Sequence, residues 1–162
     1  MNDPAVPYLD QQYMLGDALL VAPVFREDKV AQYYLPEGTW TELLTGETKE
    51  GGRWYQGTYD YFSMPLYVRE NSIVVRGNCD TKPDYDYADH ATVCVYQLKD
   101  AAETKVPDVH GNTVFTVKAV KEGDAVKVSV EGAHTELKVE VFVGNEKKEA
   151  VLAADASEVV VA

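Results

Sequence analysis

The stretch "LGDALLVAPVF", residues 15 to 25, contains five consecutive apolar residues, Ala18 to Ala22. Most strand-like segments later in the chain instead alternate apolar and polar residues, as in "AVKVSVEG" at residues 125 to 132. Alternation is typical of a strand with one wet face, whereas a continuous apolar run is typical of a strand buried on both faces. The opening stretch therefore predicts a fully covered strand in a chain of half-exposed ones.

The rest of the chain reads as many short strands. Proline and glycine recur every several residues, and the segments between them are rich in Val, Tyr and Thr, which is the pattern of strands joined by tight turns. One helix is predicted, over residues 3 to 15, with Asp3 as its cap and Pro4 in its first turn. The strand candidates are "DALLVAPV", "AQYYLP", "TWTELL", "RWYQGTYDYFS", "LYVRENSIVV", "ATVCVYQL", "NTVFTVKAV", "AVKVSVEG", "ELKVEVFVG", "KEAVLA" and "SEVVVA".

Two of these strands show which side faces a core. Each places its apolar residues at every second position, so that one face packs and the other is wet. These residues are Val126, Val128 and Val130 in the first strand, and Leu137, Val139, Val141 and Val143 in the second. The predicted fold class is all-β, with two small antiparallel β-sandwich domains. A seam between them is expected in the polar, acidic stretch "GNCDTKPDYDYAD", residues 77 to 89.

Composition excludes several classes of partner. The chain has 162 residues, 15 Lys+Arg against 27 Asp+Glu, and a formal net charge of −12. An acidic surface repels phosphate backbones, so neither nucleic acid nor an anionic membrane is an expected partner. No run approaches the ~18 apolar residues of a membrane span, and "MNDPAVPYLD" does not resemble a signal peptide. Cys79 and Cys94 match no zinc or redox spacing, and we expect both to be reduced, in a cytoplasmic protein.

Candidate metal ligands are present but poorly arranged. His90, His110 and His134 are far apart in sequence, so we interpret them as loop residues and expect no metal. In "DYDYAD", Asp84, Asp86 and Asp89 offer oxygen ligands suited to calcium. The glycine and the closing glutamate of an EF-hand loop are missing, so an acidic linker is the favoured interpretation.

The aromatic residues leave two interpretations open. Several cluster in "RWYQGTYDYF", residues 53 to 62, and flat aromatic faces can stack on sugars in a carbohydrate-binding module. The favoured interpretation is that Trp40, Trp54 and the tyrosines pack between sheets. The chain has no GxSxG, no phosphate-binding glycine loop and no reactive cysteine context. We therefore predict no catalytic, cofactor-binding or metal-binding residue.

Three segments of the first half resemble the C-terminal part of glycoside hydrolase family 31, the retaining α-glycosidases. They are "LDQQYMLGDALLVAPVF", "YYLPEGTWTELLTGETKEGGRWY" and "MPLYVRENSIVVRGN", in the family's order. "DYDYAD" and "ATVCVYQL" are similar to its α-xylosidase branch. The resemblance implies a (β/α)₈ catalytic barrel followed by a proximal and a distal β-sandwich. It implies that residues 1–25 are a remnant of the barrel's end, residues 26–78 the proximal sandwich and residues 79–162 the distal one.

The resemblance also implies what this chain lacks. The family's nucleophile lies in a W-x-D-M-N-E-like motif, and neither this motif nor the second catalytic aspartate occurs here. A barrel takes about 250 residues. The expected role is therefore non-catalytic support of the parent's own barrel, without a cofactor, with homo-oligomers possible and an independent carbohydrate-binding module as the alternative. Loss of the barrel should leave Leu19, Leu20 and Val21 bare, to be covered by another copy or by the arm "AVPYLDQQY".

Overall fold

A computed structural model of the chain describes residues 10 to 162. Within this range the chain forms strands and turns and no helix, which confirms the all-β prediction. The chain divides after Glu70 into two compact units. Of the predicted helix, Tyr13–Leu15 form a strand, and residues 3 to 9 lie outside the described range.

The first unit contains two antiparallel sheets. Its strands are β1 (Tyr13–Leu15), β2 (Leu19–Val21), β3 (Val30–Leu35), β4 (Thr39–Glu42), β5 (Thr48–Glu50), β6 (Arg53–Thr58) and β7 (Leu66–Arg69). One sheet has five strands in the order β1-β2-β7-β4-β5, and the other pairs β3 with β6. Trp40 of the larger sheet and Tyr33 of the smaller one lie in one core, and Trp40 Nε1 donates a 2.8 Å hydrogen bond to the carbonyl oxygen of Pro36. The core residues are Leu20, Ala22, Tyr33, Leu35, Trp40 and Tyr67.

The opening stretch is covered by its own unit. β2 is an inner strand, between β1 and β7, and Leu20 and Val21 expose only 2% and 3% of their surface. The expectation that these residues would be bare is therefore wrong, because β1 pairs along one side of β2 and the core covers its face. The end of the predicted arm "AVPYLDQQY" contributes to this cover, because Tyr13 pairs with Val21. The interpretation of residues 1–25 as a remnant of the end of a barrel stays a prediction.

The second unit is a sandwich of two four-stranded sheets. Its strands are β8 (Ser72–Arg76), β9 (Thr92–Tyr96), β10 (Ala101–Pro107), β11 (Thr113–Glu122), β12 (Ala125–Gly132), β13 (Leu137–Val143), β14 (Glu146–Leu152) and β15 (Glu158–Val161). The sheet orders are β14-β13-β9-β8 and β10-β11-β12-β15. The pairing is antiparallel except between β9 and β13, which are parallel. An all-antiparallel sandwich was expected, so this pair is an exception.

The core of the second unit follows the predicted alternation. The two faces predicted to be apolar are both buried, except that Val143, at the end of β13, is 48% exposed. The buried members are Val126, Val128, Val130, Leu137, Val139 and Val141. Phe115 and Val117 of β11 and Val93 and Val95 of β9 complete the contact between the two sheets.

The boundary between the units lies earlier than the predicted seam after residue 78. β8 pairs with β9 inside the second unit, so "LYVRENSIVV" is two strands that belong to different units. Asn71 separates them with a φ of 55°, a left-handed conformation that Asn tolerates better than most residues. Its side chain accepts a 2.9 Å hydrogen bond from the Lys99 amide and donates one of 3.0 Å to the carbonyl oxygen of Ala101. These bonds fix the turn to the second unit.

Candidate functional site

The three histidines occupy separate local environments. His90 is exposed, and its Nδ1 lies 2.7 Å from Asp89 Oδ1. The His134 ring lies between the carbonyl oxygens of Thr135 and Ala156, at 2.6 and 3.0 Å. His110 is exposed in a turn. Among residues 10 to 162, no three His, Cys, Asp or Glu side chains are grouped so that they could hold a metal ion.

Two aspartates of the acidic stretch "DYDYAD" form contacts with nearby residues of the same loop. Asp86 Oδ1 accepts a 3.0 Å hydrogen bond from the Ala88 amide, and Asp89 is occupied by His90. Asp84 is exposed. In this stretch the structure therefore shows no group of carboxylate oxygens close enough together to bind calcium.

Both cysteines are free. Cys94 is buried in β9, and its Sγ lies 3.7 Å from Glu140 Oε2. Burial raises the pKa of the Cys94 thiol to about 11. The thiol therefore stays protonated at neutral pH, whereas the nucleophilic form of cysteine is the thiolate.

A tyrosine–lysine cluster, made of Tyr33, Tyr55, Tyr59, Tyr67 and Lys49, lies in the first unit. Lys49 Nζ donates hydrogen bonds of 2.6 Å to Tyr67 Oη and 3.0 Å to Tyr33 Oη, and it lies 5.1 to 5.6 Å from three ring centres. The Tyr33 and Tyr67 hydroxyls are 2.8 Å apart, and Tyr59 Oη donates to Tyr33 Oη at 3.1 Å. All three hydroxyls therefore have partners although two of these tyrosines are fully buried.

The same cluster disfavours chemistry by a phenolate. Burial first, and then the hydrogen bond to Tyr33, raises the pKa of both Tyr59 and Tyr67 well above the ordinary range. A general base accepts a proton from the substrate, so it must be deprotonated at the working pH. A tyrosine whose pKa is raised stays protonated there. The geometry indicates a polar core that positions strands. Sequence analysis did not single out Lys49, because nothing in "TGETKEGG" shows that this half-buried side chain lies over three rings.

A buried carboxylate, Glu140 of β13, lies in the second unit among three cations. Its distances to Arg76 Nη2, Lys138 Nζ and Lys147 Nζ are 2.7, 2.9 and 3.4 Å, and only 4% of the residue is exposed. Burial alone would raise the pKa of Glu140. The hydrogen bond from Lys138 and the three positive charges outweigh burial, so that the pKa is lowered. This carboxyl group is therefore held ionised.

A cleft of about 370 Å³ in the first unit is lined by the loop 23–29 and the turn 59–64. Beside it are the most exposed aromatic side chains of the described range: Tyr61 at 94%, Phe62 at 93% and Phe25 at 71%. Trp54 is 57% exposed, whereas Trp40 is buried. The interpretation that Trp40, Trp54 and the tyrosines pack between sheets therefore holds for Trp40, Tyr33 and Tyr67. It is wrong for Trp54 and for Tyr61 in the turn.

A second cleft, of about 350 Å³, lies within the second unit. Tyr85 and Tyr87 line it with their rings edge to face, 4.8 Å between centres, and Lys105 and Pro107 line it as well. Gly77 has no room for a Cβ beside the Tyr85 ring, so the glycine allows this ring to lie against the backbone. The Tyr87 hydroxyl donates a 2.9 Å hydrogen bond to the carbonyl oxygen of Pro83.

Two family models match the chain in succession. Residues 1–74 match the model described as the glycosyl hydrolase family 31 C-terminal domain. Residues 86–162 match the model described as the C-terminal domain of the α-xylosidase YicI. The two matches fall on either side of a short gap and account for nearly the whole chain.

Curated relatives agree with these matches. The α-xylosidase XylQ of Lactiplantibacillus pentosus is 32% identical over 139 residues, which cover 83% of this chain and 18% of that protein. Alpha-glucosidase 2 of Bacillus thermoamyloliquefaciens is 26% identical over 141 residues, which cover 85% of this chain and 17% of that protein. The chain thus spans less than a fifth of the length of these relatives.

Solved structures share the fold. The family 31 α-xylosidase of Xanthomonas citri superimposes with a TM-score of 0.74 at 27% identity, over 98% of this chain and 20% of that one. The cycloalternan-forming enzyme of Listeria monocytogenes gives a TM-score of 0.80 at 21% identity, over 98% of this chain and 20% of that one. In the described range no helix is long and apolar enough to cross a membrane. The chain belongs to glycosyl hydrolase family 31, as a C-terminal region with α-xylosidase and α-glucosidase relatives.

Proposed function

We propose that this chain is the non-catalytic C-terminal region of a retaining family 31 α-glycosidase and that it braces the enzyme's catalytic barrel. The observation that carries the proposal is the succession of two β units, matched one after the other by C-terminal family models. A (β/α)₈ barrel needs about 250 residues with alternating helices. The described residues 10 to 162 consist of strands and turns, which favours a supporting role in such an enzyme.

The carboxyl groups with a resolved pKa shift do not have the properties of a general acid. Retaining hydrolysis needs one ionised carboxylate and one carboxylic acid whose pKa is raised, about 5–5.5 Å apart. In the described residues, every carboxyl group with a resolved shift has a lowered pKa, because hydrogen bonds or cations hold it ionised. These groups are Asp28, Asp60, Asp108, Glu140 and Glu149. None of them is poised to act as the general acid.

The relatives suggest the parent's substrate. XylQ and the Xanthomonas citri protein are named α-xylosidases, and the Bacillus protein is named an α-glucosidase. We therefore propose that the parent hydrolyses terminal α-xylosyl or α-glucosyl linkages. We further propose a cytoplasmic location, which the two free cysteines support, because disulfides are rare in reducing compartments. Homo-oligomers of the parent remain part of the proposal.

A turnover assay tests the non-catalytic role. The purified chain is incubated with p-nitrophenyl α-xyloside and with p-nitrophenyl α-glucoside, and the release of p-nitrophenol is followed. We expect no turnover above that of a mock purification from the same host. Turnover that co-purifies with the chain and is abolished by substituting one of its own carboxyl groups would contradict the proposal.

A carbohydrate-binding module is a second candidate, favoured by the cleft beside Tyr85 and Tyr87. Two tyrosine rings with a lysine at the edge of a cleft can stack on a sugar and hydrogen-bond to it. Affinity electrophoresis against xyloglucan oligosaccharides and maltodextrins distinguishes the two roles. Saturable retardation that Tyr87→Ala abolishes would favour the module, with Tyr13→Ala as an exposed aromatic control outside the cleft. Absence of retardation favours the supporting role.

A further inference from the structure

Three segments of the first unit leave its larger sheet at the same end. Tyr13 pairs with Val21, and Val21 pairs with Leu66, so these residues form one row across β1, β2 and β7. β1 begins at this row, β2 ends there and β7 begins there. Residues 10–12, the loop after Val21 and the turn before Leu66 therefore all extend beyond this row, which we call the entry end.

The entry end carries the exposed aromatic rings. Phe25 follows β2, and Tyr61 and Phe62 precede β7. Each of these three rings has 71% to 94% of its surface exposed, and exposed apolar side chains that lie in neighbouring loops mark a candidate interaction site. The loops are tied together, since the Ala22 amide donates to the carbonyl oxygen of Pro65 at 3.0 Å and the Tyr59 amide to that of Lys29 at 2.9 Å.

Hydrogen bonds within the turn order the backbone that carries its two rings. Asp60 Oδ1 accepts hydrogen bonds from the Phe62 amide, at 2.9 Å, and from Ser63 Oγ, at 2.7 Å. The Asp60 amide in turn donates to Ser63 Oγ at 2.9 Å. A turn whose backbone is already ordered loses less conformational entropy when it is buried against a partner, which favours binding.

The surroundings of the rings resemble a protein interface. Arg26 and Asp28 form an exposed ion pair in the loop, and Lys29 Nζ lies 5.8 Å from the centre of the Tyr61 ring. Aromatic anchors in the centre with charged residues at the rim are the usual anatomy of an interface between proteins. Because the charged residues here carry both signs, this surface is not complementary to a strongly acidic or strongly basic partner.

We propose that the entry end is the surface on which this region docks to the preceding part of its own polypeptide, with Tyr61, Phe62 and Phe25 as anchors. The inference rests on the proposed function, because it takes the occupant to be the catalytic part of the parent enzyme. Both the position of the rings and the path of the chain point to this occupant. The relatives place most of their length outside the matched region, and a domain joined ahead of Tyr13 is tethered beside these rings at high effective concentration.

The test compares hydrogen exchange in the chain alone and in the long protein encoded by the natural gene. We expect amide exchange in residues 22–29 and 59–64 to be slowed roughly tenfold or more in the long protein, as burial of these loops against another domain requires. Exchange in β14, far along the chain in the second unit, serves as the internal reference. Equal exchange of both segments in the two proteins would overturn the proposal.

Substitutions provide a second readout. Tyr61→Ser combined with Phe62→Ser should leave the unfolding midpoint of the isolated chain unchanged, because both rings are exposed in it. The same pair should lower the melting temperature of the long protein and restore fast exchange at residues 59–64. The matched control is Val151→Ser combined with Val160→Ser, two exposed apolar residues of the second unit. An effect of the control equal to that of the aromatic pair would overturn the assignment of the surface.

The outcomes separate the docking surface from the proposed function. If removal of this region destabilises the parent while the footprint lies elsewhere, the surface is wrong and the supporting role stands. If removal has no effect on the parent, the supporting role itself fails. If xyloglucan oligosaccharides or maltodextrins slow exchange at residues 59–64 of the isolated chain, the rings are a sugar platform and the docking proposal is overturned.

Discussion

Glu140 illustrates how a single residue can bind a sheet together. It lies on β13, accepts from Lys138 of the same strand and Lys147 of β14, and pairs with Arg76 of β8. Because the group is nearly sealed from solvent, loss of its charge would leave three cations facing one another. Breaking a buried ion pair by removing one partner is strongly destabilising.

Replacement of this carboxylate should therefore weaken the second unit. Glu140→Gln preserves the shape of the side chain and should lower the free energy of unfolding by about 2 kcal/mol, as expected for a buried charged hydrogen bond. Urea denaturation measures the effect. The matched control is Glu149→Gln, which shares Lys138 and Lys147 but is 44% exposed and should leave the midpoint close to that of the unchanged chain. Equal losses for the two variants would contradict this account.

The same group predicts a dependence on pH. The pKa of Glu140 is lowered from its ordinary 4.5, so its contribution to stability is present above that value and is lost as the pH falls through the lowered pKa. The stability difference between the unchanged chain and Glu140→Gln should thus be constant near neutral pH and shrink below about 4.5. Other carboxyl groups titrate in both proteins and cancel. A difference that grows with acidity would refute the assigned charge state.

Lys49 makes an analogous contribution in the first unit. Lys49→Met retains the apolar stem but removes two hydrogen bonds and the charge above three rings, and we expect a loss of about 1–2 kcal/mol. Lys29→Met is the control, because Lys29 also lies over a tyrosine ring, Tyr61, but in an exposed loop. Thermal unfolding of the two variants measures the difference. Indistinguishable midpoints would show that the tyrosines hold this core without the lysine.

At the scale of elements, the opening stretch is packed within its own unit. Leu20 lies in the core with Tyr33 and Trp40, and its strand is paired on both sides by β1 and β7. The strand is therefore covered without a further domain. Leu20→Ala should cost about 3 kcal/mol through the lost contacts and the cavity left behind. Met14→Ala, on the paired but 44% exposed position of β1, should change the urea midpoint far less. A small effect of Leu20→Ala would show that this segment is not part of the folded unit.

The sequence predicts some elements better than others, for physical reasons. β12 and β13 alternate clearly because one face of each is buried in the core. β10 was missed because it is an edge strand of Ala, Glu, Thr and Lys, mostly exposed, and edge strands need little apolar surface. The break at Asn71 inside an apolar run, and the burial of Glu140 on the face that alternation assigns to solvent, depend on contacts distant in sequence.

At the scale of the whole molecule, the strand pattern predicted the all-β class and the family motifs predicted the affiliation, and both are confirmed. They could not locate the boundary after Glu70, because the strand before it and the strand after it look continuous in sequence. The candidate docking surface was even less visible. "TYDYFS" reads as a strand in sequence, but hydrogen bonds between Asp60 and Ser63 close a turn there, and its two rings are exposed.

The most direct test of the supporting role is removal of this region from the natural gene product. Melting temperature and hydrolysis of p-nitrophenyl α-xyloside and α-glucoside are measured for the long protein with and without these 162 residues. The account predicts that the shortened protein melts at a lower temperature or fails to accumulate in soluble form, while the separated region remains inactive. A shortened protein with unchanged melting temperature and unchanged kcat/KM would contradict it.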